Sequence, residues 1–144
     1  MQKVFTIMLI LGLAGLFVYK NFIYSDPDYG CYIKVIPSFQ PSNWDFHKIL
    51  TLIKKTDPNS YSYMCKNVDT ISKDISCGGL DGGCFYTNKS KTIFIGNDQN
   101  NIAVTAAIVV HELCHVKQFN EGRNLVEPEC YTSGAHYLSN LYLY

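Results

Sequence analysis

The residues best suited to chemistry in this 144-residue chain lie in one short run, His111-Glu112-Leu113-Cys114-His115. Two histidines four positions apart lie on the same face of an α-helix, one turn from each other. Two imidazoles placed in this way bind a single Zn²⁺, and the glutamate beside the first can act as general base toward a metal-held water. The sequence therefore predicts His111 and His115 as metal ligands and Glu112 as the catalytic base.

This H-E-x-x-H pattern is specific for its length. Random placement of the four histidines and four glutamates of the chain would produce the pattern only about 0.003 times. All four glutamates also lie between residues 112 and 129, whereas the rest of the chain uses aspartate. Both observations favour a functional site over two histidines hydrogen-bonded within a core helix.

A catalytic zinc site usually has three protein ligands and keeps one position for water. The third ligand must come from outside the predicted metal helix. The histidine of an H-E-x-x-H-x-x-G-x-x-H site is excluded, because Gln118 and Glu121 stand where that pattern has glycine and histidine. Two carboxylates further along the chain remain as candidates, Glu127 and Glu129.

Two helices are predicted to position these side chains. Apolar residues 102–110 lead directly into the metal motif; Asn100 or Asn101 can cap the start of this helix, and Gly122 lies beyond its end. A second helix is predicted over about 127–142, with a proline in its first turn, where the missing N–H is not needed.

The remaining elements predict an α+β fold. Cys31–Ile36 alternates and is β-rich, which is typical of a strand. Residues 43–55 have apolar side chains at helical spacing, and residues 61–95 predict short strands. The first of these strands is 61–65, and the last two form a hairpin around 88–91. The apolar helix positions are Phe46, Ile49, Leu50 and Ile53.

The N-terminus predicts an export signal or a membrane anchor. Residues 4–19 are apolar except for Thr6, and no A-x-A-like cleavage site follows them. An uncleaved anchor is therefore favoured over a cleaved signal, with 24–30 as a linker. Residues 1–24 then form the membrane segment, and 25–144 form one domain exported to the periplasm or cell exterior, or secreted if cleavage occurs.

Six cysteines behind an export segment predict three disulfides. The expected pairs are Cys77–Cys84, closing a glycine-rich loop, Cys114–Cys130, tying the two site helices together, and Cys31–Cys65, joining two strands. The alternative of Cys114 as a metal ligand is disfavoured, because its position in the helix points it away from the two-histidine face.

Charge and composition limit the expected partners. The formal net charge is zero and no basic run is present, so a nucleic-acid partner is not expected. The expected partners are a peptide or protein substrate and the membrane, through the N-terminal segment.

The motif residues also carry a family resemblance. H-E-L-C-H-V-K-Q followed by E-P-E-C-Y resembles the gluzincin metallopeptidases, particularly the small minigluzincin forms, over about residues 92–140. In that family a glutamate on the next helix, commonly in an E-x-x-A setting, is the third ligand. Cys130 occupies the small-residue place, so the resemblance implies Glu127 as ligand and Glu129 as a neighbouring or surface group. Tyr131 stands where the family often has Asp or Asn.

The resemblance implies a small zincin-like domain with a short, mostly antiparallel sheet packed on the metal helix and the glutamate helix. It implies that Thr92–Ile95 is an edge strand that binds extended substrate, and that Tyr131, His136 or Tyr137 stabilises an oxyanion. The function expected is a zinc metallopeptidase. One alternative is a non-catalytic zinc-binding or interaction domain, against which the retained Glu112 argues; another is a disulfide-rich structural domain with an accidental motif.

Overall fold

The protein has an α+β fold, as predicted. The computed structural model describes residues 2–36, 45–77, 82–96 and 101–141. Within these ranges the chain forms, in order, α1 (Gln2–Phe22), β1 (Ile23–Asp26), β2 (Cys31–Ile36), α2 (Phe46–Thr56), α3 (Pro58–Asn67), β3 (Thr70–Lys73), β4 (Gly83–Phe85), β5 (Thr92–Ile95), α4 (Ile102–Asn120) and α5 (Glu127–Leu141).

The five strands form one sheet in the order β1-β2-β3-β5-β4. The pairs β1–β2 and β4–β5 are antiparallel, whereas β2–β3 and β3–β5 are parallel. The prediction of a mostly antiparallel sheet is therefore wrong, and the sheet is mixed. The reason is the connection from β2 to β3, which includes α2 and α3 and is long enough to return the chain for a parallel pairing.

Helices α2, α3 and α4 lie on one side of this sheet. Along β2 the side chains alternate between buried and exposed, as predicted for Cys31–Ile36, and the buried ones belong to the same core cluster as the apolar face of α2. All four apolar positions predicted for α2 are buried, and the helix begins at Phe46 with Asp45 as its cap. The predicted start at residues 43–44 lies outside the described residues. The core thus lies between the sheet and α2, α3 and α4.

The predicted strand over 61–65 is wrong, because these residues lie within helix α3. The Asp57 carboxylate accepts a hydrogen bond from the Ser60 N–H at 3.0 Å, and Pro58 occupies the first helical position. Tyr61 and Met64, three residues apart, are both fully buried in the core. The Cys31–Cys65 bridge consequently joins a strand to a helix rather than two strands.

The predicted hairpin is present, although its first strand, expected at residues 85–87, is β4 at Gly83–Phe85. The position of Thr92–Ile95 in the sheet differs from the expectation. This strand, β5, lies between β3 and β4, and β4 is the edge strand. The expectation that β5 is the edge strand is therefore wrong.

The N-terminal helix continues directly into the sheet. Where its side chains are described, over Val4–Phe17, the large apolar ones are more than half exposed. The predicted linker 24–30 is wrong, since β1 begins at Ile23, immediately after α1. The buried carboxylate of Asp26 accepts hydrogen bonds from Lys54 Nζ at 2.6 Å and from the Tyr61 hydroxyl at 2.7 Å, which ties β1 to α2 and α3.

Among the described residues, one helix is long and apolar enough to cross a membrane by length and composition alone, namely α4, with a mean hydropathy of 1.2. However, 67% of the apolar stretch of α4 that meets this criterion is buried, as expected for the core helix of a folded domain. The exposed apolar helix α1 is the segment with the features of a membrane anchor or signal.

All three predicted disulfides are present: Cys31–Cys65, Cys77–Cys84 and Cys114–Cys130. No free cysteine remains. Because Cys114 is bonded to Cys130, it does not serve as a metal ligand. Three disulfides and one exposed apolar helix fit an exported protein.

Candidate metal centre

Helix α4 carries both histidines on one face. Its start is fixed by Asn101, whose side chain accepts a hydrogen bond from the Ala103 N–H at 2.9 Å, in agreement with one of the two predicted caps. Its end is followed by Gly122, which has a positive φ of 67° and donates its N–H to the Phe119 carbonyl at 3.0 Å. Between these ends, the ring centroids of His111 and His115 lie 5.0 Å apart.

Helix α5 brings Glu127 to the histidines. Its Oε2 atom lies 3.3 Å from His111 Nε2 and 3.2 Å from His115 Nε2. One potential ligand atom from each of the three residues lies within 4.8 Å of the other two. Gly134 permits this close approach of the helices, because a Cβ there would lie 3.1 Å from the Ala107 carbonyl oxygen. The three side chains predicted as metal ligands are thus brought together and could hold a metal ion.

Glu129 has other partners. Its carboxylate accepts two hydrogen bonds from the Arg123 guanidinium, at 2.8 and 3.0 Å, and one from Gln118 Nε2 at 3.0 Å. The Arg123 guanidinium, aided by Gln118, lowers the pKa of Glu129 to about 2. Of the two carboxylates left open by the sequence, Glu127 lies with the histidines and Glu129 lies outside the group.

Glu112 lies in the same cleft and is only 2% exposed. Its Oε1 atom is 3.9 Å from His111 Nε2. The cleft has a volume of about 250 Å³, and the β4 backbone forms one of its walls. A Cβ atom at Gly83 would lie 2.5 Å from Glu112 Oε1, so only glycine leaves room for the carboxylate. The lining residues are Gly83, Cys84, Phe85, His111, Glu112, His115, Leu125 and Glu127.

Aromatic rings flank both histidines. Phe85 stacks on His115, with centroids 6.3 Å apart and planes 18° apart. The rings of Tyr131 and His111 meet edge to face, with centroids 4.7 Å apart and planes 60° apart. These contacts restrict the rotation of both imidazoles.

The three residues predicted as oxyanion stabilisers are separated in the structure. Tyr131 contacts His111, whereas His136 and Tyr137 line a different cleft. Tyr137 is buried, and its hydroxyl oxygen accepts a hydrogen bond from Thr56 Oγ1 at 3.0 Å. Burial raises the pKa of Tyr137. Tyr131 alone of the three lies beside a candidate metal ligand.

Sequence reasoning missed three residues that support the site: Gln118, Gly83 and Arg123. Gln118 had served only to exclude one class of zinc site, yet its buried side chain contacts His115. Its position three residues after His115 was the one available signal, since such residues neighbour each other on a helix. No comparable signal marked the other two, whose roles arise from contacts across elements.

The function of this site must be inferred from its own side chains: no protein-family model matches the chain, and no curated protein and no solved structure matches it.

Proposed function

We propose that the protein is an exported, membrane-anchored zinc metallopeptidase of the gluzincin kind. The observation that carries this proposal is the convergence of His111, His115 and Glu127 in one cleft with the buried carboxylate of Glu112.

The three ligand side chains fit zinc. Two imidazole nitrogens and one carboxylate oxygen form a donor set that Zn²⁺ favours, and three protein ligands are the number found in catalytic sites. When bound, zinc supplies Lewis acidity, which lowers the pKa of water and polarises a peptide carbonyl. The stacking of Phe85 on His115 and the contact of Tyr131 with His111 preorganise the two imidazoles for this task.

Glu112 is the proposed general base. Its carboxylate is held in the cleft between His111 and the β4 backbone, where it can accept a proton from water and pass it to the leaving amine. A purely structural metal site has no use for a buried carboxylate beside its three ligands. This point disfavours the alternative of a non-catalytic zinc-binding domain.

The edge strand β4 is the proposed substrate-binding element. Within the described residues it pairs on one side only, with β5, and all three of its residues line the cleft. An extended peptide can add its main chain to this edge and place a carbonyl near Glu112. Tyr131, beside His111, is the proposed hydrogen-bond donor to the carbonyl oxygen as it gains negative charge.

The proposed location is outside the cytosol. Helix α1 presents apolar side chains on all described faces, as a membrane anchor does, and three disulfides require an oxidising compartment. The catalytic domain would then face the periplasm or the cell exterior. If the anchor is cleaved, the cut must precede Ile23 for β1 to be retained.

The test is a peptide-library cleavage assay on the oxidised full chain in detergent, with Glu112→Gln as the matched variant. We expect cleavage to fall by about 10²- to 10⁴-fold in Glu112→Gln, since the general base is lost. The zinc content should remain that of the wild type. A zinc-loaded wild type that cleaves nothing, or that cleaves no faster than Glu112→Gln, would contradict the peptidase and favour the non-catalytic alternative.

A further inference from the structure

We propose that Gln118 is a positioning residue that fixes the tautomer of His115, so that the ring presents the lone pair of Nε2 to the metal. The inference deepens the proposed function and rests on its metal centre. It concerns a residue that lies outside the H-E-x-x-H pattern and its third ligand.

The Gln118 side chain is fully buried, and its amide makes four polar contacts. The Val126 N–H donates to Gln118 Oε1 at 3.0 Å, and Gln118 Nε2 donates to the Val126 carbonyl at 3.2 Å. Nε2 also donates to Glu129 Oε2 at 3.0 Å. Because a backbone N–H only donates and a carbonyl only accepts, Val126 determines which end of the amide is the oxygen.

This oxygen faces His115. Gln118 Oε1 lies 3.1 Å from His115 Nδ1, and the second neighbour of that nitrogen is Cys130 Sγ at 3.5 Å. Since Cys130 is bonded to Cys114, its sulfur carries no hydrogen and can only accept. Both neighbours of Nδ1 are therefore acceptors, and Nδ1 must carry the hydrogen. Nε2, which lies 3.2 Å from Glu127 Oε2, is then the nitrogen that can give its lone pair to a metal ion held by both residues.

The same amide also positions the chain that leads to the third ligand. Val126, which exchanges two hydrogen bonds with Gln118, directly precedes Glu127. Gln118 thus joins the C-terminal end of α4 to the start of α5. A single buried side chain thus orients one candidate ligand, His115, and anchors the residue next to a second, Glu127. Residues that hydrogen-bond to metal ligands in this way orient them and raise the affinity of the site.

The first test needs no variant. Long-range ¹H–¹⁵N NMR of the zinc-loaded, oxidised full chain in detergent micelles reports which ring nitrogen of each histidine carries the proton and which does not. We expect His115 to be the Nδ1–H tautomer. His136, whose Nδ1 lies 3.2 Å from the Asn140 amide nitrogen, is an internal reference expected to have the opposite tautomer. A His115 ring protonated at Nε2 would overturn the inference.

The second test compares two variants of the same hydrogen-bonded group. Gln118→Met keeps the side-chain length but cannot accept from His115, whereas Arg123→Met removes the partner of Glu129 and leaves the His115 contact in place. Zinc affinity is measured by chelator competition on oxidised, folded protein. We expect Gln118→Met to bind zinc about 10- to 100-fold more weakly and Arg123→Met to bind it close to the wild-type level. Unchanged affinity in Gln118→Met, or equal weakening in both, would overturn the inference.

The two proposals fail in different ways. A protein that holds zinc and has His115 protonated at Nδ1, but cleaves no peptide, would refute the peptidase and leave the role of Gln118 intact. A peptidase with His115 protonated at Nε2 would refute the role of Gln118 alone.

Discussion

Glu127 and Glu129 lie two positions apart at the start of α5, yet their carboxylates have different partners. Two residues on a helix are separated by roughly 200° of rotation, so they point to nearly opposite sides. Glu127 faces the imidazoles of His111 and His115, and Glu129 faces Arg123. The residue types alone left both carboxylates open as ligands, because the rotation of α5 about its axis is set by tertiary packing.

The candidate ligand histidines were readable from the sequence, since a four-residue spacing places them on one face of any helix, and the proposed general base is the residue after the first of them. The supporting residues were not readable. Gly83 comes near Glu112 only because β4 forms the edge of the sheet beside α4, and Gln118 acquires its role from Val126 and Glu129. Contacts between distant elements leave little trace in local residue patterns.

Gly83→Ala provides a residue-scale prediction. The new Cβ would lie 2.5 Å from Glu112 Oε1 and 2.9 Å from Ile108 Cγ2, so the carboxylate must move. We expect peptide cleavage to fall by at least about tenfold, because a misplaced general base loses much of its contribution. Steady-state cleavage by Gly83→Ala is compared with that of Thr87→Ala, an exposed position in the same hairpin. Full activity in Gly83→Ala would show that Glu112 does not depend on this contact.

At the scale of elements, the helices and strands that were predicted correctly are those whose local residue pattern agrees with their packing in the fold. The alternation of Cys31–Ile36 and the apolar spacing of α2 correspond to buried faces, and the start of α4 follows its capping residue Asn101. Helix α3 was missed because the alternation of 61–65 suggested a strand, although Asp57-Pro58 is a helix-start signal. The parallel pairs were missed because strand direction depends on where the chain returns, which local patterns do not state.

The disulfide between α4 and α5 is predicted to support the metal site, and the disulfide between β2 and α3 to support only the fold. The two bridges span 16 and 34 residues, so replacing each by a pair of alanines should lower the free energy of unfolding by about 3 and about 4 kcal/mol. We expect only Cys114→Ala/Cys130→Ala to weaken zinc binding, because only that bridge joins the ligand-bearing helices. Urea unfolding and chelator competition measure the two quantities. Equal zinc affinity in the two double variants would contradict this assignment.

The ion pair between Asp26 of β1 and Lys54 of α2 predicts that the stability of the fold depends on pH. The Lys54 ammonium holds the pKa of Asp26 below its ordinary value of 3.8, against the opposing effect of burial. A carboxyl with a lowered pKa in the folded state stabilises the fold fully above its ordinary pKa, and this stabilisation is lost as the pH falls through the lowered value. Asp26→Asn should therefore be less stable than wild type at neutral pH and should lose less stability below about pH 4.

Thermal unfolding of both proteins between neutral and acid pH measures this difference. Asp69→Asn, which alters an exposed carboxylate outside this ion pair, is the matched control and should follow the wild type. If Asp26→Asn and the wild type lost stability in parallel on acidification, the ion pair would not be the source of the effect.

At the scale of the whole molecule, helix α1, the proposed anchor, and the cleft lie at opposite edges of the sheet. Helix α1 runs into β1 at one edge, and β4 lines the cleft at the other. Four strand spacings of about 4.8 Å separate these edges by roughly 19 Å. The proposed anchor therefore lies away from the free edge of β4, the proposed site of an extended peptide.

Two truncations test where the folded unit begins. Removal of residues 2–22 deletes α1 alone, and we expect a chain that leaves the membrane fraction but keeps its fold and its zinc. Removal of residues 2–26 also deletes β1, and with it the buried hydrogen bonds of Tyr24 and Asp26 to Tyr61 and the ion pair with Lys54. We expect this shorter chain to unfold at a markedly lower urea concentration. Equal stability of the two chains would show that β1 is dispensable.

The measurement that tests the central claim most directly is the zinc content of the purified, oxidised full chain, determined by inductively coupled plasma mass spectrometry. The variants His115→Ala, Glu127→Ala and Glu129→Ala are measured beside the wild type. We predict about one zinc per wild-type chain, loss of zinc in His115→Ala and Glu127→Ala, and retention in Glu129→Ala. A folded wild type without metal, or zinc that persists in both His115→Ala and Glu127→Ala, would contradict the metal centre and with it the proposed metallopeptidase.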